Sequence, residues 1–167
     1  MFVYAVTKLF LSSINLFDSC MVVLKILALI LTAIILVPSG AHLFELPGKI
    51  SLDREAYFIV QGIYYGWALF AIPIFAAILA NGALFFMLRR DNLKSACWAL
   101  TSCILITISL AVFFTWIFPA NEATVNWTIA PENWESLRLD WEYGHAANAI
   151  IVFFAFIAST LATVRRI

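Results

Sequence analysis

Residues 20–37 read CMVVLKILALILTAIILV, a run in which Lys25 is the only charge and Thr32 the only other polar side chain. A helix crossing the hydrocarbon core of a bilayer needs roughly 20 mostly apolar residues. Three more stretches meet that length: 62–88 (GIYYGWALFAIPIFAAILANGALFFML), 95–118 (SACWALTSCILITISLAVFFTWIF) and 145–164 (HAANAIIVFFAFIASTLATV). With no water to satisfy the backbone in lipid, continuous runs of this length imply helices, because barrel strands are about half as long and alternate in polarity. The first span is expected to end at Pro38-Ser39-Gly40, and the third to stop before Pro119.

Composition agrees: of 167 residues, 64% are hydrophobic and 12% charged, more apolar surface than a soluble domain of this size hides. Ten basic and ten acidic residues give no net charge, so nothing argues for a nucleic-acid partner. Cys20, Cys97 and Cys103 have no ligand-like spacing and read as small buried hydrophobes, not as disulfide partners. Phosphate-loop, nucleotide-fingerprint and G-x-S-x-G patterns are absent, which excludes kinases, ATPases and hydrolases of those types.

Short loops set orientation through lysine and arginine. The link Arg89-Arg90-Asp91-Asn92-Leu93-Lys94 and the terminal Arg165-Arg166 belong to the cytoplasm, whereas loops 39–61 and 119–144 hold eight acidic side chains against Lys49, Arg54 and Arg138. The expected architecture is therefore all-α: one membrane domain over residues 1–167, four transmembrane helices with both termini inside, and a Trp-rich helical outer loop before the fourth. Residues 1–19 read as an interfacial helix on the cytoplasmic surface, and the expected location is a bacterial inner membrane. Lys25 suits snorkelling to the inner interface, and Asn81, inside the second span, suits helix–helix hydrogen bonding.

The two histidines, His42 and His145, each lie at the outer end of a span with a glutamate three residues away, Glu45 and Glu142. On a helix that spacing puts both side chains on one face. Glu-x-x-His is also a ligand unit of di-metal helix bundles, so His42, Glu45, Glu142 and His145 are candidate metal ligands, although the second and third spans supply no further glutamates. The alternative is that polar residues collect where helices leave the bilayer.

Residues 131–145, PENWESLRLDWEYGH, suit a helix that begins at Pro131 and runs into the fourth span. Glu135, Arg138, Glu142 and His145 then form a charged ridge beside an aromatic stripe of Trp134, Leu137 and Trp141. His145 is a candidate general base with Glu142 orienting it, and Arg138 a candidate holder of an anionic or phenolate oxygen. Trp127, Trp134 and Trp141 would wall a flat hydrophobic substrate, although tryptophan is enriched at bilayer surfaces in any case. Asn126-Trp127-Thr128 also fits a glycosylation sequon, which matters only in a eukaryotic secretory setting.

The segment from Phe118 through Asn121, Asn126-Trp127-Thr128, Asn133-Trp134, Leu137-Arg138 and Trp141 to His145 resembles the signature of the anthrone-oxygenase-like family of small four-helix membrane proteins. The resemblance covers about 30 residues closely and the rest by helix count. It implies an oxygenase that inserts dioxygen-derived oxygen into polycyclic anthrones with neither metal nor flavin. Asn121, Asn126, Trp127, Arg138, Trp141 and His145 are the matching positions, and His145 would be the base that generates a carbanion. His42 and Glu45 fall outside the pattern. Two functions stay open: an oxygenase acting on a hydrophobic aromatic or quinone-like molecule, or a non-enzymatic accessory subunit of a larger membrane complex that contributes a histidine to a metal, haem or pigment. A transporter is disfavoured, because the spans hold few polar residues and no matched pair of broken helices.

Overall fold

The computed structural model describes the backbone of residues 2–164 and the side chains of residues 18–164. All regular structure among them is helical: α1 (Phe2–Lys49), α2 (Arg54–Gln61), α3 (Ala71–Leu88), α4 (Leu93–Val112), α5 (Phe118–Ala123) and α6 (Trp134–Val164). The expected interfacial helix over residues 1–19 falls, but for Asp18 and Ser19, outside the residues whose side chains are described, and Arg165 and Arg166 lie outside the described residues.

Four segments are long and apolar enough to cross a membrane: Asp18–Lys49, Trp67–Leu88, Leu93–Ala123 and Trp134–Val164, with mean hydropathies of 2.9, 2.2, 2.2 and 2.1. Only 22, 17, 22 and 33% of their apolar windows is buried inside the protein. The remaining leucine, isoleucine and phenylalanine side chains point outward, as helices bathed in lipid require.

The helices form a ring, α1 against α3, α3 against α4, α4 against α6 and α6 back against α1, so chain neighbours are spatial neighbours, as short connections favour in a four-helix bundle. Each inner face repeats in heptads. On α1, Met21, Ala28, Ile35, His42 and Lys49 recur every seven residues and all are buried. On α6, Trp141, Asn148, Ala155 and Ala162 do the same, interleaved with His145, Val152 and Ser159. A period of 3.5 residues keeps one stripe turned towards the neighbouring helices.

Four helix ends differ from the sequence expectation. Pro38 does not end α1, which carries both Pro38 and Pro47 inside it. The proline removes the donor for the Ile34 carbonyl, yet the helix runs on through it, as transmembrane helices tolerate; beside it the Ser39 hydroxyl donates to the Ile35 carbonyl (2.9 Å). The third span does not stop before Pro119: a π-helical turn at Phe113–Ile117 leads into α5, where Pro119 occupies the first turn. The fourth helix starts at Trp134 after a turn over 131–133, and the second span begins at Trp67 with the 3-10 turn Trp67–Phe70, another such turn, Gly62–Tyr64, lying before it. Cys20 and Cys97 are exposed, not buried, and Cys103 is half-buried; on a lipid-facing surface an apolar side chain has no need of protein cover.

Candidate functional site

The cavity end of the bundle is built where α1 ends, α6 begins and the connections 50–70 and 113–133 fold over them. On the heptad stripe of α1, His42 meets the ring of His145 on α6, centroids 3.9 Å apart and stacked at 29°. Around the pair stand Tyr64 (4.7 Å from His42), Trp67 (5.3 Å) and Trp141 (5.0 Å from His42, 4.2 Å from His145). The two histidines thus share one level and touch.

Behind them lies an ion pair. Lys49 Nζ is 2.9 Å from Glu142 Oε1, with both side chains almost wholly buried. Tyr57 donates to the same carboxylate oxygen at 2.9 Å, and Gln61 donates its amide to the Tyr57 hydroxyl. Lys49 also donates to the Tyr64 hydroxyl at 2.9 Å, Tyr64 donates to Glu45, and the ammonium sits 4.2 Å from the Trp141 ring centroid. Burial pushes both phenols above the usual tyrosine range, helped by the negative charge of Glu142 at Tyr57 and by the hydrogen bond to Glu45 at Tyr64. Both therefore act as O–H donors to carboxylates.

Arg138 is on the far side of this network from the histidines. Its Nη1 donates to the Leu52 carbonyl at 2.7 Å, and its guanidinium lies over the Trp134 and Tyr57 rings, 4.7 and 5.4 Å from their centroids. It ties the first turns of α6 to the segment leading into α2.

Asn121, on α5, draws the aromatic wall together: its Oδ1 accepts from Trp127 Nε1 (3.1 Å) and Trp141 Nε1 (2.9 Å). Trp127 reaches it because Val125, Asn126 and Trp127 hold left-handed backbone, with φ of 48, 53 and 63°. Left-handed geometry costs an L-residue roughly 1–2 kcal/mol. Thr124 compensates: it is fully buried, its hydroxyl accepts from the Trp127 N–H (3.0 Å), and its carbonyl accepts from Thr128 and Ile129 (3.0 Å each). Asn126 tolerates the left-handed region better than most residues, which accounts for an asparagine there.

Rings of this size at the inner positions keep the helices apart, and a cavity of about 940 Å³ results, at the upper end for small-molecule sites. Its lining runs from Gln61, Tyr64, Trp67, Asn121 and Trp127 past His42, His145 and Trp141 to Asn148 and Ser109, ending at Ile35 and Val152 in mid-bundle. Three of these side chains are at least nine-tenths buried and each keeps an atom without a partner: His42 Nδ1, Gln61 Oε1 and Asn148 Oδ1. A buried polar group left unmade costs about 1–3 kcal/mol.

The sequence candidates divide accordingly. His42, Asn121, Asn126, Trp127, Trp141 and His145 line the cavity; Trp134, Arg138, Glu45 and Glu142 do not. Glu142 is not bonded to His145: its Oε1 takes Lys49 and Tyr57 and its Oε2 is buried without a partner, while ring contacts with His42 and Trp141 hold that imidazole. Arg138 does not line the cavity: its Nη1 is bonded to the Leu52 carbonyl and its Nε is buried without a partner. Trp134 packs against Tyr57 and Phe58 as a layer behind the wall. The metal reading lacks a donor set: among the described residues no three His, Cys, Asp or Glu side chains come together as a metal-binding group.

Sequence reasoning missed Lys49, Tyr57, Gln61, Tyr64, Trp67 and Asn148. Lys49 continues the heptad 21–28–35–42 and Asn148 follows His145 by one turn, so both carried a periodic signal. The residues of the 57–67 connection carried none, because their place depends on how that segment folds over the bundle.

Compared with protein-family models, with curated proteins and with solved structures, the chain matches none.

Proposed function

We propose that this integral membrane protein takes a flat hydrophobic aromatic or quinone-like molecule into the 940 Å³ cavity and oxygenates it there, with His145 as general base. The observation that carries the reading is the stacked His42–His145 pair inside an aromatic-walled cavity, since a base needs to stand where the substrate lies. The resemblance to the anthrone-oxygenase-like family adds the reaction class.

In that reaction His145 takes a proton from the acidic methylene of an anthrone. The carbanion passes an electron to dioxygen and the two recombine at carbon. One oxygen atom ends in the new carbonyl, and the other leaves as water with the two methylene hydrogens, so no external reductant is consumed. Trp127 and Trp141, fixed by Asn121, clamp the ring system, while the Lys49–Glu142 pair and Arg138 hold the walls.

The cavity faces the outer side, with both termini in the cytoplasm. Arg89, Arg90 and Lys94 sit at the other end of the bundle, whereas at the cavity end Lys49 is buried in its ion pair, Arg138 is bonded to the Leu52 carbonyl and Arg54 is exposed, a smaller positive charge than at the other end.

Dioxygen uptake by purified protein supplied with an anthrone tests this. The expected result is one dioxygen consumed per anthraquinone formed, and a fall on the order of 10²–10⁴-fold in His145→Ala with the melting transition retained. Unchanged turnover in that variant would overturn His145 as the base; no uptake by the unaltered protein would overturn the oxygenase reading.

A further inference from the structure

At the level of the cavity the ring of helices has four seams, and three of them are shut by contacts. Between α1 and α6, His42 stacks on His145 and Lys49 pairs with Glu142. Between α1 and the second span, the Trp67 ring stands edge-on to His42, centroids 5.3 Å apart. Between α6 and the third span, Gly144 presses so closely that a Cβ there would meet Ile117 Cγ1 at 2.9 Å and Trp116 Cβ at 3.4 Å. The fourth seam, between the second and third spans, is different. Deeper in the bundle it is closed: Ala77 and Ile106 share one buried cluster, and the Cys103 thiol donates to the Ile78 carbonyl (3.6 Å). Beside the cavity the rings pack only with their own side. Trp67 meets Phe70 at 5.6 Å, and Phe113, Phe114 and Phe118 gather at 5.2–6.2 Å; among the described residues no ring of one side touches a ring of the other.

Ala71 and Phe75 on α3 and Phe114 on the π turn line the cavity and are exposed, Phe75 by 55% and Phe114 by 57%. Lining alone does not confer exposure, since His42, Trp127 and Trp141 line the same cavity at 3–6%. Residues that do both stand at a mouth, and these three lie within the membrane-spanning segments Trp67–Leu88 and Leu93–Ala123, so this mouth opens on lipid. The third span takes its π turn at the same place, an irregularity that helices keep mostly at functional sites. Resting on the reading that the cavity takes a hydrophobic aromatic molecule, we infer that this molecule enters and leaves sideways, from the hydrocarbon of the bilayer through the seam between the first turns of α3 and the π turn. A flat apolar molecule partitions into lipid, and a path between phenylalanine, alanine and leucine side chains strips water from no polar group. The cavity also reaches the surface at Asn126 and Thr128, but that edge is polar and lies in the connection outside the spans.

Exchange kinetics test this without turnover. The full chain in lipid nanodiscs is supplied with a fluorinated anthraquinone, and 19F exchange spectroscopy follows the bound and lipid-dissolved probe, giving both rates and the occupancy. Ala71→Phe, which narrows the seam, is expected to slow release and uptake together by roughly tenfold, and Phe114→Ala, which widens it, to speed both by about threefold. Occupancy stays nearly constant in each, because a barrier on the path changes both rates alike. Thr128→Phe, at the polar edge, is expected to leave the rates unchanged. Slower exchange in Thr128→Phe and not in Ala71→Phe would overturn the inference in favour of entry from water, and unchanged rates in both seam variants would overturn it outright. If Ala71→Phe binds no probe, Phe114→Ala decides alone, and an unchanged rate there overturns the inference. Each of these results leaves the cavity reading intact, whereas no bound signal in the unaltered protein overturns both.

Discussion

The two ends of this bundle use the same four helices and the same heptad stripes to opposite effect. Towards the link between α3 and α4, the contacts are made by Ala28, Ala80, Leu84, Leu88, Ala96, Ala99 and Ala162, with Ser95 and Ser159 among them. Small side chains let backbones approach, and dispersion between close helices is what holds them in lipid, where the hydrophobic effect adds nothing between helices. At the other end the same stripe positions carry Trp141, His145 and Asn148 on α6 and His42 and Lys49 on α1. The helices there are held by an ion pair, by indoles sharing one acceptor and by stacked imidazoles, and a cavity remains between them. The switch occurs near Ile35 and Val152, and it is a switch in side-chain size and polarity along an unchanged register.

If that contrast is right, the cavity end breaks by loss of polar partners. Its most sensitive point is the buried ion pair. Glu142→Leu leaves buried Lys49 without its ion-pair partner, with only Glu45 beyond Tyr64 as negative charge, and is expected to cost about 3–5 kcal/mol. The double variant Lys49→Met/Glu142→Leu is expected to recover most of it, which a double-mutant cycle in mixed micelles measures; no recovery would mean the two side chains are not coupled.

Next in size is Gly144, where α6 presses on the π-helical turn. A Cβ there would meet Ile117 Cγ1 at 2.9 Å, so Gly144→Ala is expected to lose about 1–3 kcal/mol and Ile117→Ala in the same chain to relieve it. A neutral Gly144→Ala would show that the turn and α6 stand further apart.

Asn121→Leu removes the acceptor of two indole N–H groups and is expected to cost about 2 kcal/mol, with a change in tryptophan emission that the same substitution at Asn81 does not produce. At the tightly packed end, Asn81 donates to Thr32 Oγ1 (3.2 Å) and to the Ala77 carbonyl (2.9 Å). Interhelical hydrogen bonds within membranes are worth about 0.6 kcal/mol on average, so Asn81→Leu is expected to be the mildest of the four. A loss as large as that of Glu142→Leu would erase the distinction between the ends.

The tightly packed end was largely legible in the sequence. Continuous apolar length gave the four spans, and Asn81 sits in the helix interface as its cost in lipid demands. The histidine pair was legible as a shared level at two span ends, although the contact between its rings was not. What the sequence hid is what the connections do. Pro38 and Pro119 looked like helix ends, because a linear reading shows neither that α1 continues through its proline nor the π turn that precedes Pro119. Glu142 looked like the partner of His145 because they are three apart on one helix, but Lys49 and Tyr57 reach that carboxylate from α1 and α2, and a buried cation outcompetes an imidazole for it. Arg138 looked like a site residue for the same reason, until the Leu52 carbonyl was found beside it.

The measurement closest to the central claim is saturable binding of the expected product, an anthraquinone, to the unaltered protein and to Ser109→Phe. Ser109 lines the cavity from α4, and a phenylalanine there takes up cavity volume while leaving the histidines and the ion pair unsubstituted. The account predicts one site per chain in the unaltered protein, and at least tenfold weaker binding in Ser109→Phe with the melting transition retained. No saturable site in the unaltered protein, or equal binding by both, would contradict it.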